Sequence, residues 1–372
     1  MRDALRGELA VDLDVVVEGD SAATARTLAQ SVGAEVAEHG RFGTAAVRAP
    51  GLSVDLAAAR TETYAAPGAL PQVSPANIDE DLGRRDFGVN AMAVALVPDR
   101  LGDLIDPHGG AGDLEAGHLR VLHDLSFVDD PTRILRGLRY ETRLGLEFEP
   151  GTEALASAAV QGGAMATISG DRLRVELLDL LAERTPVRGL EHLRALGIDT
   201  ALDPGLAVDS GLVAAAALAA GVAEADPGLT GLAALVEPGR DTLAAWVTSL
   251  GLDRQARDAV IAAASSARAV AAKLGTRPKP SQVYELLAGA PPETLALAIA
   301  LGAPPDQVEL YLDEIQDTAL EISGADLIAE GLPESPELGR VLRETLHRKL
   351  DGELSGREQE LRHALSLARA GT

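Results

Sequence analysis

The sequence has no cysteine, which excludes disulfide bonds and thiolate metal sites. It also lacks a secretory signal and any run of about 18 apolar residues, so a cytoplasmic protein without membrane contact is expected. Only 2% of the residues are aromatic, too few for broad platforms on which single strands stack. The net charge of −24 argues against a protein that clamps nucleic acid over its whole surface, although a local basic strip remains possible.

The pattern of apolar residues divides the chain into two regions that differ in predicted secondary structure. The 372 residues are 46% hydrophobic, enough for about two or three domains. The runs "DVVVEGD", "GTAAVRAP" and "LSVDLAAA" predict strands, and "SAATARTLAQSVG" predicts a helix, as in a small α/β domain. From Asp129 onward nearly every segment predicts an amphipathic helix. The segments "DPGLAVDSG" and "ADPGLTG" predict turns.

The stretch "VDLDVVVEGD" begins with two acids one residue apart. Side chains alternate along a strand, so Asp12 and Asp14 are expected on one face. Taken alone, a solvated strand start is the simpler interpretation. A third acid, Asp55, lies in another strand-like run, and an adjacent strand could bring it beside the pair. Three oxygen donors on neighbouring strands would suit Mg²⁺.

The stretch "DDPTRILRGLR" combines a helix start with a basic face. Asp130 before Pro131 is typical of a helix N-cap followed by a first-turn proline. The spacing of the next residues predicts an arginine stripe on one face and an apolar stripe on the other. The first stripe consists of Arg133, Arg136, Arg139 and Arg143, and the second of Ile134, Leu135 and Leu138.

Several motifs follow one another in a characteristic order. They include "DLDVVVEGD", "GRFGTAAVR", "VDLAAARTETY", "EDLGRRDFGVNAMAV", "LIDPHGGAGDLEAGHLRVL" and "DDPTRILRGLRYETRLGLEFEP". Together they resemble the tRNA nucleotidyltransferase and bacterial poly(A) polymerase family, in its class II CCA-adding branch. The resemblance is dense up to about residue 183, where it includes "ISGDRLRVELLDLL", and it weakens in the middle of the chain before returning near the C-terminus.

The resemblance implies an α+β fold. A polymerase-β-like nucleotidyltransferase head with a mixed sheet would occupy residues 1–123, a helical neck that recognises the base 124–185, and a helical body and tail that bind RNA 186–372. The family's head normally begins with a strand and a Gly-Gly pair, whereas this sequence starts at Met1 and lacks them. We expect a misassigned start, and weak or absent activity if the truncation is real.

The resemblance also implies roles for individual residues. Asp12 and Asp14 would hold the catalytic metal ions, Mg²⁺, with Asp55 as the third carboxylate. Nucleotide contacts would come from Arg2 and Arg85 to the phosphates and from Asp86 and Asn90 near the ribose. The segment Tyr64–Asp81 resembles the family's flexible loop, which is implicated in the addition of the final adenosine.

Base recognition is implied for the helix start described above. Asp130 and Arg133 would form hydrogen bonds with the Watson–Crick edge of CTP or ATP, because a carboxylate and a guanidinium supply acceptors and donors. Arg136 and Arg139 would contact the nucleotide or its phosphates nearby. Asp129 stands where the family usually has Glu, which retains the charge.

The predicted activity is template-independent addition of CCA, from CTP and ATP, to the 3′ end of tRNA with release of pyrophosphate. Alternatives within the family are A-addition, poly(A) tailing, or RNA binding by a catalytically impaired homologue. An unrelated acidic interaction protein is the remaining alternative. In the C-terminal region a helix carries basic residues that could contact phosphates or could simply be solvated: Arg340, Arg343, His347, Arg348 and Lys349.

Overall fold

The computed structural model describes residues 1–8, 13–39, 43–206, 208–236 and 243–370. The chain forms two compact units, one made of Met1–Glu176 with Arg188–Pro204 and the other of Leu177–Val187 with Gly205–Thr372. The predicted head and most of the predicted neck therefore share the first unit. The functional division at residues 123 and 185 stays a prediction.

The first unit contains both strands and helices. Its strands are β1 (Leu13–Val17), β2 (Glu35–His39), β3 (Thr44–Ala49), β4 (Leu52–Ala58), β5 (Arg60–Thr63), β6 (Gln72–Pro75), β7 (Ala93–Val94), β8 (Leu104–Ile105), β9 (His118–Leu119) and β10 (Glu147–Phe148). Its helices are α1 (Arg2–Leu5), α2 (Ser21–Val32), α3 (Ile78–Gly83), α4 (Gly110–Ala116), α5 (Ser126–Asp129), α6 (Thr132–Leu144), α7 (Pro150–Gln161), the start of α8 (Gly170–Leu181), α9 (Val187–Ala195) and α10 (Ile198–Leu202).

The main sheet has the strand order β1-β4-β3-β2. Strands β1 and β4 run parallel, whereas β3 is antiparallel to both of its neighbours. This mixed sheet, followed by helices, confirms the predicted α+β class. The three runs predicted as strands form β1, β3 and β4, whereas β2 was not predicted.

Helix α2 covers one face of this sheet. It begins where the Asp20 carboxylate accepts a hydrogen bond from the Ala23 amide at 2.9 Å, which satisfies a backbone donor of the first turn. The buried side chains between helix and sheet are Ala25, Ala29, Ala45, Val47, Val54 and Leu56. Because neighbouring side chains in a strand face opposite ways, Asp14 and Asp55 lie on the other face.

A second core of the first unit gathers three of the four phenylalanines of the chain. The Phe87 ring lies 6.4 Å from Phe127, 6.0 Å from Phe148 and 6.0 Å from Tyr140. Gly137 of α6 permits this packing, because a Cβ there would lie 2.4 Å from the Phe148 ring. A glycine inside a helix costs about 1 kcal/mol, and the close approach of the rings explains its presence.

The second unit is helical in the part of it that is described. Its helices are α11 (Ser210–Val222), α12 (Pro227–Leu235), α13 (Leu243–Ser249), α14 (Arg254–Leu274), α15 (Pro280–Leu287), α16 (Pro292–Ala300), α17 (Pro305–Leu310), α18 (Gly324–Ala329), α19 (Pro336–Leu350) and α20 (Gly356–Ala370). Helix α14 packs on α12 and α16, and α11 packs on the same two helices. Within the described ranges no helix is both long and apolar enough to cross a bilayer.

One predicted turn in this unit is wrong. The segment "ADPGLTG" forms the start of α12. Asp226 accepts a hydrogen bond from the Leu229 amide at 2.8 Å, and Pro227 occupies the first helical turn. Asp followed by Pro suits a helix N-terminus as well as a turn, and burial of the apolar residues that follow selects the helix.

His192 ties α9 to α6 and α7 in the first unit. Its Nδ1 lies 2.6 Å from Glu141 Oε2, and its Nε2 lies 3.0 Å from Glu153 Oε1. Burial by itself lowers the pKa of His192, but the hydrogen bonds and charges of the two glutamates raise it to about 9. The imidazolium therefore carries a charge between two carboxylates at neutral pH.

We expect the free energy of unfolding to fall as the pH rises through about 9. The folded pKa of His192 exceeds its ordinary value of 6.5, so this stabilisation is complete below that value and disappears above the folded pKa. The loss should reach roughly 3 kcal/mol. Denaturant unfolding at several pH values measures it, with His192→Gln for comparison. An unchanged pH dependence in that variant would contradict the assignment.

Candidate active site

The two described acids of the predicted metal site lie side by side. In the parallel pairing of β1 with β4, Asp14 is the register partner of Asp55. The predicted adjacency is therefore confirmed for these two residues. Asp55 accepts a hydrogen bond from Arg48 Nη2 at 2.6 Å, and its side chain is 46% exposed. Asp12 lies outside the described residues.

This pair has the donor chemistry that a hard divalent cation needs. Two carboxylates on neighbouring strands face away from the α2 core, and both are accessible to solvent. Carboxylate oxygens are the ligands that Mg²⁺ prefers. Among residues 1–8, 13–39, 43–206, 208–236 and 243–370, no group of three or more acidic or histidine side chains has the arrangement of a metal site. Asp12, which is predicted to hold the metal ions together with Asp14, is not among those residues.

A buried carboxylate, Asp86, organises the second part of the site. Its Oδ1 accepts hydrogen bonds from the Phe87 amide at 2.8 Å and from Asn90 Nδ2 at 2.9 Å. Its Oδ2 accepts from Arg136 Nε at 2.9 Å and from the Tyr140 hydroxyl at 3.3 Å. Asp86 thus connects the segment after α3 to the middle of α6.

The ionisation of Asp86 follows from these contacts. Its burial by itself would raise the pKa of Asp86, but the Arg136 guanidinium and the hydrogen bonds from Asn90 and the Phe87 amide hold that pKa below its ordinary value. Burial and the negative charge of Asp86 raise the pKa of Tyr140. At neutral pH the group is therefore a carboxylate, a guanidinium and a neutral phenol.

Arg2 packs against the same cluster. Its Nη1 donates to Asn90 Oδ1 at 2.6 Å, and its guanidinium lies 5.4 Å from the centre of the Tyr140 ring. The Arg2 side chain is 19% exposed. Hydrogen bonding and a cation–π contact therefore hold Arg2 against this cluster.

Asp81 holds the arginine pair that precedes Asp86. Its side chain is 1% exposed and forms ion pairs with Arg84 at 2.9 Å and with Arg85 at 3.3 Å. Arg84 also pairs with Glu62 of β5 at 2.9 Å. A buried carboxylate between two guanidiniums keeps both of them near it, so Asp81 orients Arg85, the predicted triphosphate contact.

The four arginines of the predicted stripe on α6 differ in their exposure to solvent. Arg133 is 5% exposed, and Arg136 and Arg139 form ion pairs with Glu176 of α8 at 3.3 and 3.8 Å. Arg143 is exposed. The predicted apolar stripe is confirmed, because its three residues are fully buried: Ile134, Leu135 and Leu138.

Asp130 and Arg133, the predicted base-recognition pair, have different neighbours. Arg133 donates to Ser126 Oγ and to the Arg84 carbonyl, both at 2.7 Å, and lines a small cavity of about 190 Å³. Asp130 instead binds Arg172 of α8 at 2.6 Å and lines a wider cleft of about 470 Å³. No hydrogen bond or ion pair joins these two side chains.

The segment predicted as a flexible loop, Tyr64–Asp81, contains regular structure. Strand β6 within it pairs antiparallel with β5, and α3 begins at Ile78. At the tip of the hairpin the Gly68 amide donates to the Asp129 carbonyl at 3.2 Å. The hairpin tip therefore contacts the segment just before α6. The exposed, short strand β6 carries little apolar signal, which explains why sequence patterning did not reveal it.

The structure brings two further residues to the site for which the sequence predicted no role. Arg172 and Glu176 both lie in "GDRLRVELL" on α8. Their spacing of four residues puts them on one helix face. The sequence signal for these two residues was the spacing of an arginine and a glutamate on one helix face, next to apolar positions that are buried.

The basic strip predicted in the second unit lies on α19 and is largely neutralised there. Four of its five side chains bind acids of the same unit: Arg340 with Glu337, His347 with Glu285, Arg348 with Glu353, and Lys349 with Glu360. Glu360 is fully buried. These pairs favour a structural use of the charges, and a phosphate-binding role for the strip stays a prediction.

Two family models match the chain. The first, described as "Poly A polymerase head domain", matches residues 1–120, and the second, described as "Probable RNA and SrmB- binding site of polymerase A", matches residues 145–209. An A-adding tRNA nucleotidyltransferase of Geobacter sulfurreducens is 34% identical over 99% of this chain and 44% of the relative. A CC-adding tRNA nucleotidyltransferase of Deinococcus radiodurans is 33% identical over 97% of this chain and 85% of the relative.

Solved structures agree with these matches. A CCA-adding enzyme in an apo form has a TM-score of 0.85 and 33% identity, covering 98% of this chain and 89% of that one. The Thermotoga maritima CCA-adding enzyme complexed with tRNA has a TM-score of 0.76 and 32% identity, with the same coverage. The chain spans 44%, 48% and 24% of three A-adding relatives that it matches.

Proposed function

Because the chain belongs to the class II CCA-adding tRNA nucleotidyltransferase and bacterial poly(A) polymerase family, we propose that it adds CCA to the 3′ end of tRNA. Its substrates are CTP, ATP and a tRNA end, and its second product is pyrophosphate. The observation that carries the proposal is the register of Asp14 with Asp55 on the open face of the mixed sheet. No membrane contact is part of this proposal.

The metal ions of this proposal are Mg²⁺. Asp14 and Asp55, together with Asp12, would hold them, because these residues offer the oxygen donors that Mg²⁺ prefers. When bound, such ions lower the pKa of an attacking hydroxyl and neutralise a departing pyrophosphate. Arg48 forms an ion pair with Asp55 at 2.6 Å. Its guanidinium therefore balances the negative charge of that carboxylate until a cation binds.

The remaining residues bind and orient the nucleotide in this proposal. Asn90 and Asp86 contact the ribose, and Arg85 and Arg2 contact the phosphates. The hydrogen bonds already formed within this cluster support the assignment, because a prearranged site loses little conformational freedom when its ligand binds. Arg136 holds Asp86 in place with its ion pair at 2.8 Å.

Base recognition belongs to the neck part of the first unit. Asp130 is the proposed acceptor for the base, in the 470 Å³ cleft that it lines. Arg133 would reach the same base only after leaving Ser126 and the Arg84 carbonyl, its present partners. Arg139 contributes positive charge near the nucleotide.

The reaction requires no side-chain nucleophile. The 3′ hydroxyl of the RNA loses its proton to water as its oxygen forms a bond to the α-phosphorus of the nucleotide, while the bond from that phosphorus to the pyrophosphate oxygen breaks. The chain positions the two reactants, its carboxylates would hold the cations, and its arginines stabilise the developing charge, as is general for phosphoryl and nucleotidyl transfer.

A-addition alone is the second candidate. Three relatives that are 34%, 44% and 43% identical to the matched parts of this chain are A-adding tRNA nucleotidyltransferases. CCA addition is favoured because solved CCA-adding enzymes, including complexes with ATP and with CTP, match 98% of this chain. The match also covers 89% of the length of each of these structures.

Single-nucleotide assays on tRNA distinguish these candidates. We expect two additions when tRNA that lacks CCA receives CTP, and one addition when tRNA that ends in CC receives ATP. Gel analysis of the products measures both. Extension of only the CC-ending tRNA would instead establish A-addition, and long adenosine tails would establish poly(A) polymerase activity. If neither tRNA is extended by a folded protein with Mg²⁺, the proposed function is wrong.

A further inference from the structure

Arg172 of α8 is fixed between the base-recognition segment and the hairpin tip. Its Nη2 donates to Asp130 Oδ1 at 2.6 Å and to Thr132 Oγ1 at 3.3 Å, and its Nη1 donates to the Gly68 carbonyl at 3.3 Å. The Arg172 side chain is 24% exposed. A planar guanidinium held at three acceptors keeps one orientation.

These contacts give the two carboxylate oxygens of Asp130 different hydrogen bonding. Oδ1 accepts from Arg172 and also from the Thr132 amide at 3.1 Å and the Thr132 hydroxyl at 2.6 Å. Oδ2 accepts no hydrogen bond from any residue in the part of the chain that is described. Asp130 is 17% exposed and lines the 470 Å³ cleft. One carboxylate oxygen therefore remains as an acceptor at the cleft.

A single acceptor in this position can separate the four bases into two classes. Cytosine and adenine carry an exocyclic amino group that donates hydrogen bonds, whereas uracil and guanine carry a carbonyl oxygen at the corresponding place. An ionised carboxylate only accepts. It therefore binds the amino bases and repels the carbonyl of the other two. Rotation of Asp130 would weaken this discrimination, because it would change the direction of the acceptor.

We propose that Arg172 is a specificity-determining positioning residue, which holds the Asp130 carboxylate with one oxygen directed to the amino group of an incoming CTP or ATP. This inference rests on the proposed function and concerns the same site. Arg172 touches neither the base nor the reacting atoms. It acts through Asp130, so its loss changes the choice of nucleotide more than the rate of transfer.

The test compares the wild type with Arg172→Gln and Arg172→Lys. Initial rates of single-nucleotide addition to tRNA are measured with CTP, ATP, UTP and GTP. For Arg172→Gln we expect the ratio of kcat/KM for the cognate nucleotide to that for UTP or GTP to fall by about 10-fold to 100-fold. The loss should appear mainly as a higher KM for the cognate nucleotide. Arg172→Lys keeps the charge but not the three-point geometry, and an intermediate ratio is expected.

Arg188→Gln is the matched control. It removes the same charge from the first unit, where Arg188 pairs with Glu147 at 2.7 Å on the surface. We expect it to retain the wild-type selectivity and melting temperature. If Arg172→Gln does not fold, Arg172→Lys supplies the same comparison with the charge retained.

The outcomes separate this inference from the proposed function. Wild-type selectivity in a folded, active Arg172→Gln variant overturns the inference alone. An equal loss of kcat/KM for all four nucleotides also overturns it, because a purely structural role would have that effect. A wild-type protein that adds no nucleotide to tRNA would overturn the proposed function and this inference with it.

Discussion

Asp14→Asn and Asp55→Asn are each expected to lower kcat for nucleotidyl transfer by about 10³-fold, equivalent to about 4 kcal/mol of transition-state stabilisation. Asparagine preserves the size of the side chain but removes the negative charge that a divalent cation requires. The two residues are register partners on the open face of the sheet, so the effect of either change should be similar.

Stability should hardly change in these variants. Asp55 pairs with Arg48 at 2.6 Å, but the two side chains are 46% and 47% exposed, and such surface pairs contribute about 0 to 1 kcal/mol. Thermal unfolding of both variants checks this. The matched control is Glu38→Gln on β2, which breaks an exposed pair with Arg26 and should retain full activity.

The dependence on cation concentration gives an independent measurement. If the two carboxylates bind the metal ion, more Mg²⁺ should be needed for half-maximal activity in any residual reaction of the variants. A folded Asp14→Asn protein that transfers nucleotides at the wild-type rate would remove Asp14 from the catalytic machinery.

Asp86→Asn is expected to lower the free energy of unfolding by about 2 to 3 kcal/mol, because removal of one partner from a buried ion pair leaves the other charge without compensation. Arg136 is 33% exposed and keeps Glu176 as a second partner, which limits the loss. The new amide also faces donors where the carboxylate accepted four hydrogen bonds.

The free energy of unfolding that Asp86→Asn loses should be smaller at acidic pH than at neutral pH. The folded pKa of Asp86 is lower than its ordinary value of 3.8, so its stabilisation is present above that value and disappears as the pH falls through the folded pKa. Urea unfolding at neutral and at acidic pH measures the difference between wild type and variant. This difference should shrink below about pH 4.

Nucleotide binding should weaken in the same variant. In this variant an NH2 donor replaces one of the two acceptor oxygens, so either Asn90 or Arg136 loses its acceptor. The KM for CTP and ATP should therefore rise by about 10-fold or more. Asp258→Asn serves as the control, since it removes an acid from exposed pairs on α14 of the second unit. Equal unfolding free energies for wild type and Asp86→Asn would contradict the role that the structure gives this carboxylate.

Local patterns predicted the elements that carry the site. Alternation of apolar and polar residues identified β1, β3 and β4 and put Asp14 on the face opposite the core, and spacing by three and four residues identified α6 with its buried apolar stripe. Strand and helix geometry repeat over a few residues, so the chain itself contains this information. The shorter or more exposed strands β2 and β6 escaped prediction, because weak apolar patterns do not distinguish such strands from loops.

The sequence by itself determined the order of the motifs, the α+β class and the family to which the chain belongs. Only the tertiary structure decided the partners: Asp14 beside Asp55, Asp86 with Arg136, and Asp130 with Arg172 rather than Arg133. Each of these pairs joins residues that are far apart in the chain. A guanidinium can bind any carboxylate within reach, and packing of the strands and helices sets which carboxylate that is.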